Sequence, residues 1–306
     1  MNLHEDEEAF QTIISATSEA FGILPEQVEK DYYVSYLLEH LVRVMPDLVF
    51  KGGTSLSKCY KIIRRFSEDI DINYAVNRRP TQGERKTFKD GIKQAISNAG
   101  LTLLNGDSIL WKRDFNQYQV QFPKRTESLG SQKEDLLLET YFLIKSFPAE
   151  NKPFTNYVFE FLESQSEIGL IKQFNLEPCN INAQRIDRTF IDKIFTVCDY
   201  YEQGKLERNS RHLYDLSKIF QNYTFERQDF HQLFKNVRIE RQRKPDFNIS
   251  SKDGYPILDT LQLILDQDLY REDYEAVTDL LLFEKVSYEE VKSALKDLIR
   301  TGLIPL

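Results

Sequence analysis

Two short stretches hold the residues best suited to chemistry. Phe50-Lys51-Gly52-Gly53-Thr54-Ser55-Leu56-Ser57-Lys58 puts paired glycines and two hydroxyls where a helix should begin. Arg65-Phe66-Ser67-Glu68-Asp69-Ile70-Asp71-Ile72 follows, with two carboxylates two residues apart. Gly52 and Gly53 have no Cβ to block a close approach, and the N–H groups that open a helix attract phosphate. Side chains alternate along a strand, so Ser67, Asp69 and Asp71 share one face while Ile70 and Ile72 point into a core. Aligned carboxylates suit a hard divalent cation. Together the two stretches describe a nucleoside triphosphate held by backbone amides and by Mg²⁺ on Asp69 and Asp71. Either stretch alone is weak, since Gly-Gly-Thr is a common turn and Asp-x-Asp is often solvated charge. A Walker loop is excluded because Lys58 comes too late after the glycines.

These chemical groups need elements to position them. Helical patterns cover 5–20 and 26–43, with Pro25 opening the second. An apolar strand over 47–51 leads to a helix over 54–64 and an acidic strand over 69–75. A loop with Arg78, Arg79 and Pro80 precedes a helix over 84–98. Strand-like runs at 108–113, 116–122 and 135–144 complete a mixed sheet with helices, an α+β organisation. Beyond about 185 helical periodicity dominates, over 187–203, 208–221, 226–241, 256–266, 271–283 and 288–301. A boundary is expected between about 150 and 185, giving a first domain over 1–170 and a helical subdomain over 171–306.

The order apolar strand, Gly-Gly-Thr, helix, Asp-Ile-Asp strand resembles the polymerase-β-like nucleotidyltransferase superfamily. Within it, the chain resembles the AbiEii nucleotidyltransferase toxins, which include the MenT-type toxins. The matching pieces are Glu29-Lys30-Asp31-Tyr32, the Lys51 to Lys58 stretch, the Arg65 to Asp71 stretch, Arg188-Thr189-Phe190-Ile191-Asp192-Lys193, and Arg211-His212-Leu213-Tyr214-Asp215-Leu216. The resemblance implies that Lys193 is the toxins' essential lysine and Asp215 its aspartate partner. It also implies transfer of a nucleotide to the 3′ end of tRNA, a cognate antitoxin, a role in phage defence, and phosphorylation of the serine at position 67.

From the residues alone, Lys193 lies at the margin of the apolar face formed by Phe190, Ile194, Val197 and Tyr201, which suits either a cleft or a snorkelling surface lysine. Asp215 reads either as a functional carboxylate or as a surface partner of Arg211. Glu139 interrupts the apolar strand Leu136 to Tyr141, and is either a third metal carboxylate or an edge glutamate facing water. In the expected site Gly52, Gly53, Thr54 and Ser55 cradle phosphates, Ser67 touches one, and Lys58 and Lys193 stabilise the leaving group. Catalysis is expected from Asp69, Asp71, Lys193, Asp215 and Glu139, with Asp69, Asp71 and Glu139 as metal ligands.

The whole chain agrees with an enzyme. Its 306 residues, 41% hydrophobic, can bury a sizeable core. Cys59, Cys179 and Cys198 form no Cys-x-x-Cys pair and the four histidines show no ligand spacing, which argues against a zinc site and for a reducing, cytoplasmic setting. The net charge of −8 argues against a strongly basic surface, yet Lys61, Arg64 and Arg65, Arg78 and Arg79, and the series Lys235, Arg238, Arg241, Arg243 and Lys244 form basic clusters suited to RNA. Alternatives are transfer to a protein or a small molecule, or a catalytically silent nucleotide-binding module.

Overall fold

The computed structural model describes residues 1–67, 69–74, 78–106, 114–127 and 135–305. The chain divides into two compact units, one of residues 1–60 and 66–184, the other of residues 61–65 and 185–306. Residues 171–184, read from the sequence as the start of the helical half, belong to the first unit.

The first unit opens with helix α1 (Glu7–Phe21), capped by the Asp6 carboxylate on Ala9 N–H and ended by Gly22 at φ 65°. Helix α2 (Pro25–Val44) starts on Pro25 as expected. Strand β1 (Leu48–Lys51) runs directly into helix α3 (Gly52–Lys58), and strand β2 (Ile70–Tyr74) follows. Helix α3 is shorter than the expected 54–64, ending at Lys58, and the chain then turns at Lys61 with φ 55°. Helix α4 (Gln82–Asn98) begins with a Thr81–Glu84 capping box. The strands β3 (Thr102–Leu103), β4 (Phe115–Gln121) and β5 (Leu136–Tyr141) come next. The strand expected at 108–113 lies outside the described residues.

The stretch from 150 to 185 holds more than a boundary. It contains most of β6 (Ala149–Phe154), then helices α5 (Tyr157–Ser164) and α6 (Ile168–Gln173), and finally β7 (Cys179–Gln184). Strand β6, largely polar and carrying Pro153, which an edge strand tolerates, hides from a periodicity reading, whereas β7 alternates Cys179, Ile181 and Ala183 with Asn180, Asn182 and Gln184 in a short run that the sequence reading leaves unassigned. The seven strands form one mixed sheet in the order β3-β4-β5-β2-β1-β7-β6. Central β1 and β2 are antiparallel, β1 lies parallel to β7, and β2 lies parallel to β5. Leu48, Val49, Phe50, Ile70 and Ile72 are all at most 1% exposed, so the strands that carry the glycines and aspartates are anchored at the core.

The second unit is helical, with α7 (Ile186–Glu202), α8 (Arg211–Asn222), α9 (Arg227–Arg241), α10 (Ile257–Asp266), the short α11 (Arg271–Asp273) and α12 (Tyr288–Arg300). Helix α7 packs against α8, α9 and α10. It is buried nearly all round, which is why a single-face reading of Lys193 fails. Among the described residues no helix is long and apolar enough to cross a membrane.

Candidate active site

In the first unit the junction of β1 and α3 meets the acidic strand. Gly52 has φ 78°, and a Cβ there would lie 2.2 Å from Asp71 Oδ2. The Asp71 carboxylate therefore rests on the bare Cα of Gly52, a close approach only glycine permits. Thr54, fully buried, donates its hydroxyl to the Asp69 carbonyl at 2.6 Å. That hydroxyl has one proton, so the 2.9 Å contact with Ser67 is a hydrogen bond donated by Ser67. Ser55 donates to the Gly52 carbonyl at 2.9 Å. Thr54 thus braces the turn against the acidic segment, and Ser55 braces the turn itself.

Register completes the arrangement. Asp71 faces Lys51 across one ladder and Glu139 across the other, and Glu139 faces Gln117, so these four residues form a row on one sheet face. Gln117 donates to Glu139 Oε1 at 2.7 Å. Asp69 Oδ1 is buried with no hydrogen-bond partner. An orphaned carboxylate oxygen beside a second aspartate fits a hard divalent cation, whose preferred donors are oxygens. Among the described residues no group of three or more His, Cys, Asp or Glu side chains is arranged to hold a metal. Glu139 is a neighbour of Asp71, and the fit to a cation rests on the two aspartates.

Lys58 does not sit where the sequence reading placed it. Its ammonium donates to Asp31 Oδ1 at 2.6 Å, Ser35 Oγ at 2.7 Å and the Asp31 carbonyl at 3.1 Å. The lysine is 2% exposed, and burial pushes the Asp31 carboxyl up against the opposing pull of Lys58. Asp31 also accepts from Tyr157 N–H at 2.8 Å, and its neighbour Glu29 accepts from Arg125 N–H and Thr126 N–H. The Glu29 to Tyr32 motif is thereby an anchor for distant chain segments.

The second unit brings Lys193 and Asp215 together. Lys193 donates to Asp215 Oδ2 at 2.6 Å, and Arg65 grips both oxygens of that carboxylate at 2.7 and 2.8 Å. Asp215 is fully buried and Lys193 nearly so, which replaces the surface pairing of Asp215 with Arg211. Burial alone would raise the Asp215 carboxyl, but Arg65 and then Lys193 hold it well below the usual carboxylate range. Burial lowers the Lys193 ammonium, Asp215 opposes that, and Arg65 adds to it. His212 is lowered well below its ordinary value by burial and by Lys193 and Arg211.

A glycine turn braced against an acidic strand, with a lysine and an aspartate paired in a helical unit, is what the sequence resemblance implies. The family model for the nucleotidyl transferase AbiEii toxin, type IV toxin–antitoxin system, matches residues 36–298. The chain belongs to the AbiEii family. It is accordingly a nucleotidyltransferase, a toxin of a type IV toxin–antitoxin system. Among solved structures it is similar to MenT4, a nucleotidyltransferase toxin from Mycobacterium tuberculosis H37Rv, at 14% identity and a TM-score of 0.49, over 93% of this chain and 98% of that one. The comparison with curated proteins yields no match.

Two parts of this AbiEii chain escaped the sequence reading of the site. The sequence reading groups Arg65 with a basic cluster, although its place in the Arg65 to Asp71 motif is the available signal. The basic patch is also smaller than expected. Arg241 is 6% exposed and paired with Asp199 at 2.9 Å and Asp192 at 3.3 Å. Arg78 is paired with Glu84 and Arg79 with Asp114.

Proposed function

We propose that this AbiEii enzyme transfers a nucleoside monophosphate from a nucleoside triphosphate to the 3′ end of an RNA, with tRNA as the acceptor. The observation that carries the nucleotide half is the contact of Gly52 with Asp71 beside the orphaned Asp69 oxygen. Asp69 and Asp71 would hold Mg²⁺, which when bound neutralises part of the triphosphate charge. The β- and γ-phosphates are proposed to lie against the Gly52-Gly53 turn. An acceptor hydroxyl attacks the α-phosphorus, a new P–O bond forms, and the bond to the β-phosphate oxygen breaks to release pyrophosphate. The hydroxyl proton must pass to a base, and Glu139, one strand from Asp71, is a candidate acceptor. Lys193 is proposed as the donor that stabilises the growing negative charge, with Asp215 fixing where its ammonium sits.

The exposed residues Lys235 and Arg243 support an RNA acceptor, as does the family's toxin role. A cognate antitoxin is the expected partner, and defence against phage the expected setting. The test is to incubate the protein and Mg²⁺ with total RNA and each labelled nucleoside triphosphate in turn. Label in the tRNA band, removable by 3′ exonuclease, is the expected result. Label in protein or in a small molecule, with none in RNA, overturns the acceptor and leaves the transferase assignment in place.

A further inference from the structure

Lys58 has its ammonium committed to Asp31, Ser35 and a carbonyl, so the phosphate-binding turn lacks the cation the sequence had placed there. Lys51, on the other side of the glycines, is the alternative. It is half-buried at the end of β1, and its register partner is Asp71. The pairing of Asp71 with Glu139 puts all three side chains on one face of the sheet. Despite that company, among the described residues no carboxylate lies within 4.0 Å of the Lys51 ammonium. The ammonium instead sits 5.8 Å from the centroid of the Tyr141 ring, two residues along β5 from Glu139. A ring face holds a cation without neutralising it. The charge is thus directed by an aromatic wall and, among the described residues, is not neutralised by a carboxylate.

We propose that Lys51 binds the β- or γ-phosphate of the nucleoside triphosphate and that Tyr141 positions its ammonium for this. The proposal rests on the nucleotidyltransferase reading and names a residue that makes the site selective for a triphosphate. A lysine suits the task because its compact ammonium offers three rotatable donors to a flexible phosphate chain. Lys51 also directly precedes Gly52, whose Cα lies against Asp71. The phosphate ligand and the aspartate that would hold the metal are therefore set by the same turn.

The test is equilibrium binding of a fluorescent, non-hydrolysable nucleoside triphosphate to the full-length protein with Mg²⁺. The variants are Lys51→Met, Lys51→Arg, Tyr141→Leu and Lys58→Met, with Lys51→Gln as a second neutral variant should the methionine form fail to fold. Loss of a charge-assisted hydrogen bond predicts a weakening by Lys51→Met of roughly ten- to a hundredfold for the triphosphate. Affinity for the matching nucleoside, which has no phosphate, should change less than about twofold, a contrast that loss of general packing would not produce. Lys51→Arg should recover part of the loss, and Tyr141→Leu should show a smaller loss of the same kind. Lys58→Met should act on stability and leave this selectivity intact. Triphosphate affinity at the wild-type level in both Lys51→Met and Lys51→Gln overturns the proposal and leaves the enzyme assignment standing. Failure of the wild-type protein to bind any triphosphate overturns the nucleotide reading and this proposal with it.

Discussion

Gly52 is the residue whose replacement should be most specific in its effect. A methyl group there would enter the space of Asp71 Oδ2, and the φ of 78° already disfavours any L side chain. Gly52→Ala should displace the Asp71 carboxylate and cut transfer by about a hundredfold, the cost of moving a positioned group by roughly an ångström. Steady-state kinetics checks this. Asp69→Ala should abolish transfer while leaving the urea midpoint near wild type, because it removes a carboxylate whose buried oxygen has no partner. Retained turnover in Asp69→Ala would remove the metal assignment. Lys58→Met should do the reverse, because Asp31 would be left buried without its cation. The expected loss is about 3–5 kcal/mol in urea unfolding.

Helix α7 shows how an element sets the chemistry of one side chain. Arg188 on its first turns pairs with Asp192 at 2.9 Å and Glu240 at 3.1 Å, and Asp192 in turn meets Arg241, so α7 is tied to α9 beside Lys193. The Lys193 ammonium, lowered by burial, should lose its proton below the ordinary lysine value of about 10.4. If transfer needs that charge, activity falls on the alkaline side before a free lysine would titrate, and Lys193→Arg moves the fall to higher pH. A pH–rate profile of both forms decides it. Asp215 has the opposite consequence for stability. Its carboxyl is held below the unfolded value, so its contribution is complete above about pH 4 and is lost only as pH falls through the lower folded value. The same elements show what the sequence could convey. The apolar run of β1, the alternation of β2 and the pattern of α7 disclosed strand, strand and helix. The residues between 150 and 185 did not, because polar β6 is held by ladder hydrogen bonds that leave no periodic trace, and the six-residue alternation of β7 rests on a single strongly apolar side chain, Ile181. Lys58 illustrates a second limit, since helix spacing fixed its place near the glycines while its ammonium was drawn to Asp31, 27 residues earlier.

For the molecule as a whole, a net charge of −8 makes any RNA contact local. Lys235 and Arg243 are exposed, whereas Arg241 is buried against aspartates. Replacing Lys235 and Arg243 with alanine should flatten the dependence of log affinity on log salt by about 0.7 per lost contact for single-stranded RNA. Arg241→Ala should destabilise the fold and leave the slope alone. Salt-titrated binding to tRNA tests both, and an unchanged slope in the double variant removes this surface from the acceptor reading. The fold also sets an order for biosynthesis. Residues 61–65 interrupt the first unit and belong to the second, and Arg65 pairs with Asp215, 150 residues later. A nascent chain that has left the ribosome through β2 already carries the glycine turn and both aspartates. Its Arg65 must still wait for α8, so a chain cut short by premature termination before Asp215 lacks this carboxylate partner of Arg65. The carboxylate that both Arg65 and Lys193 hold is therefore added only after about seven-tenths of the chain has been made.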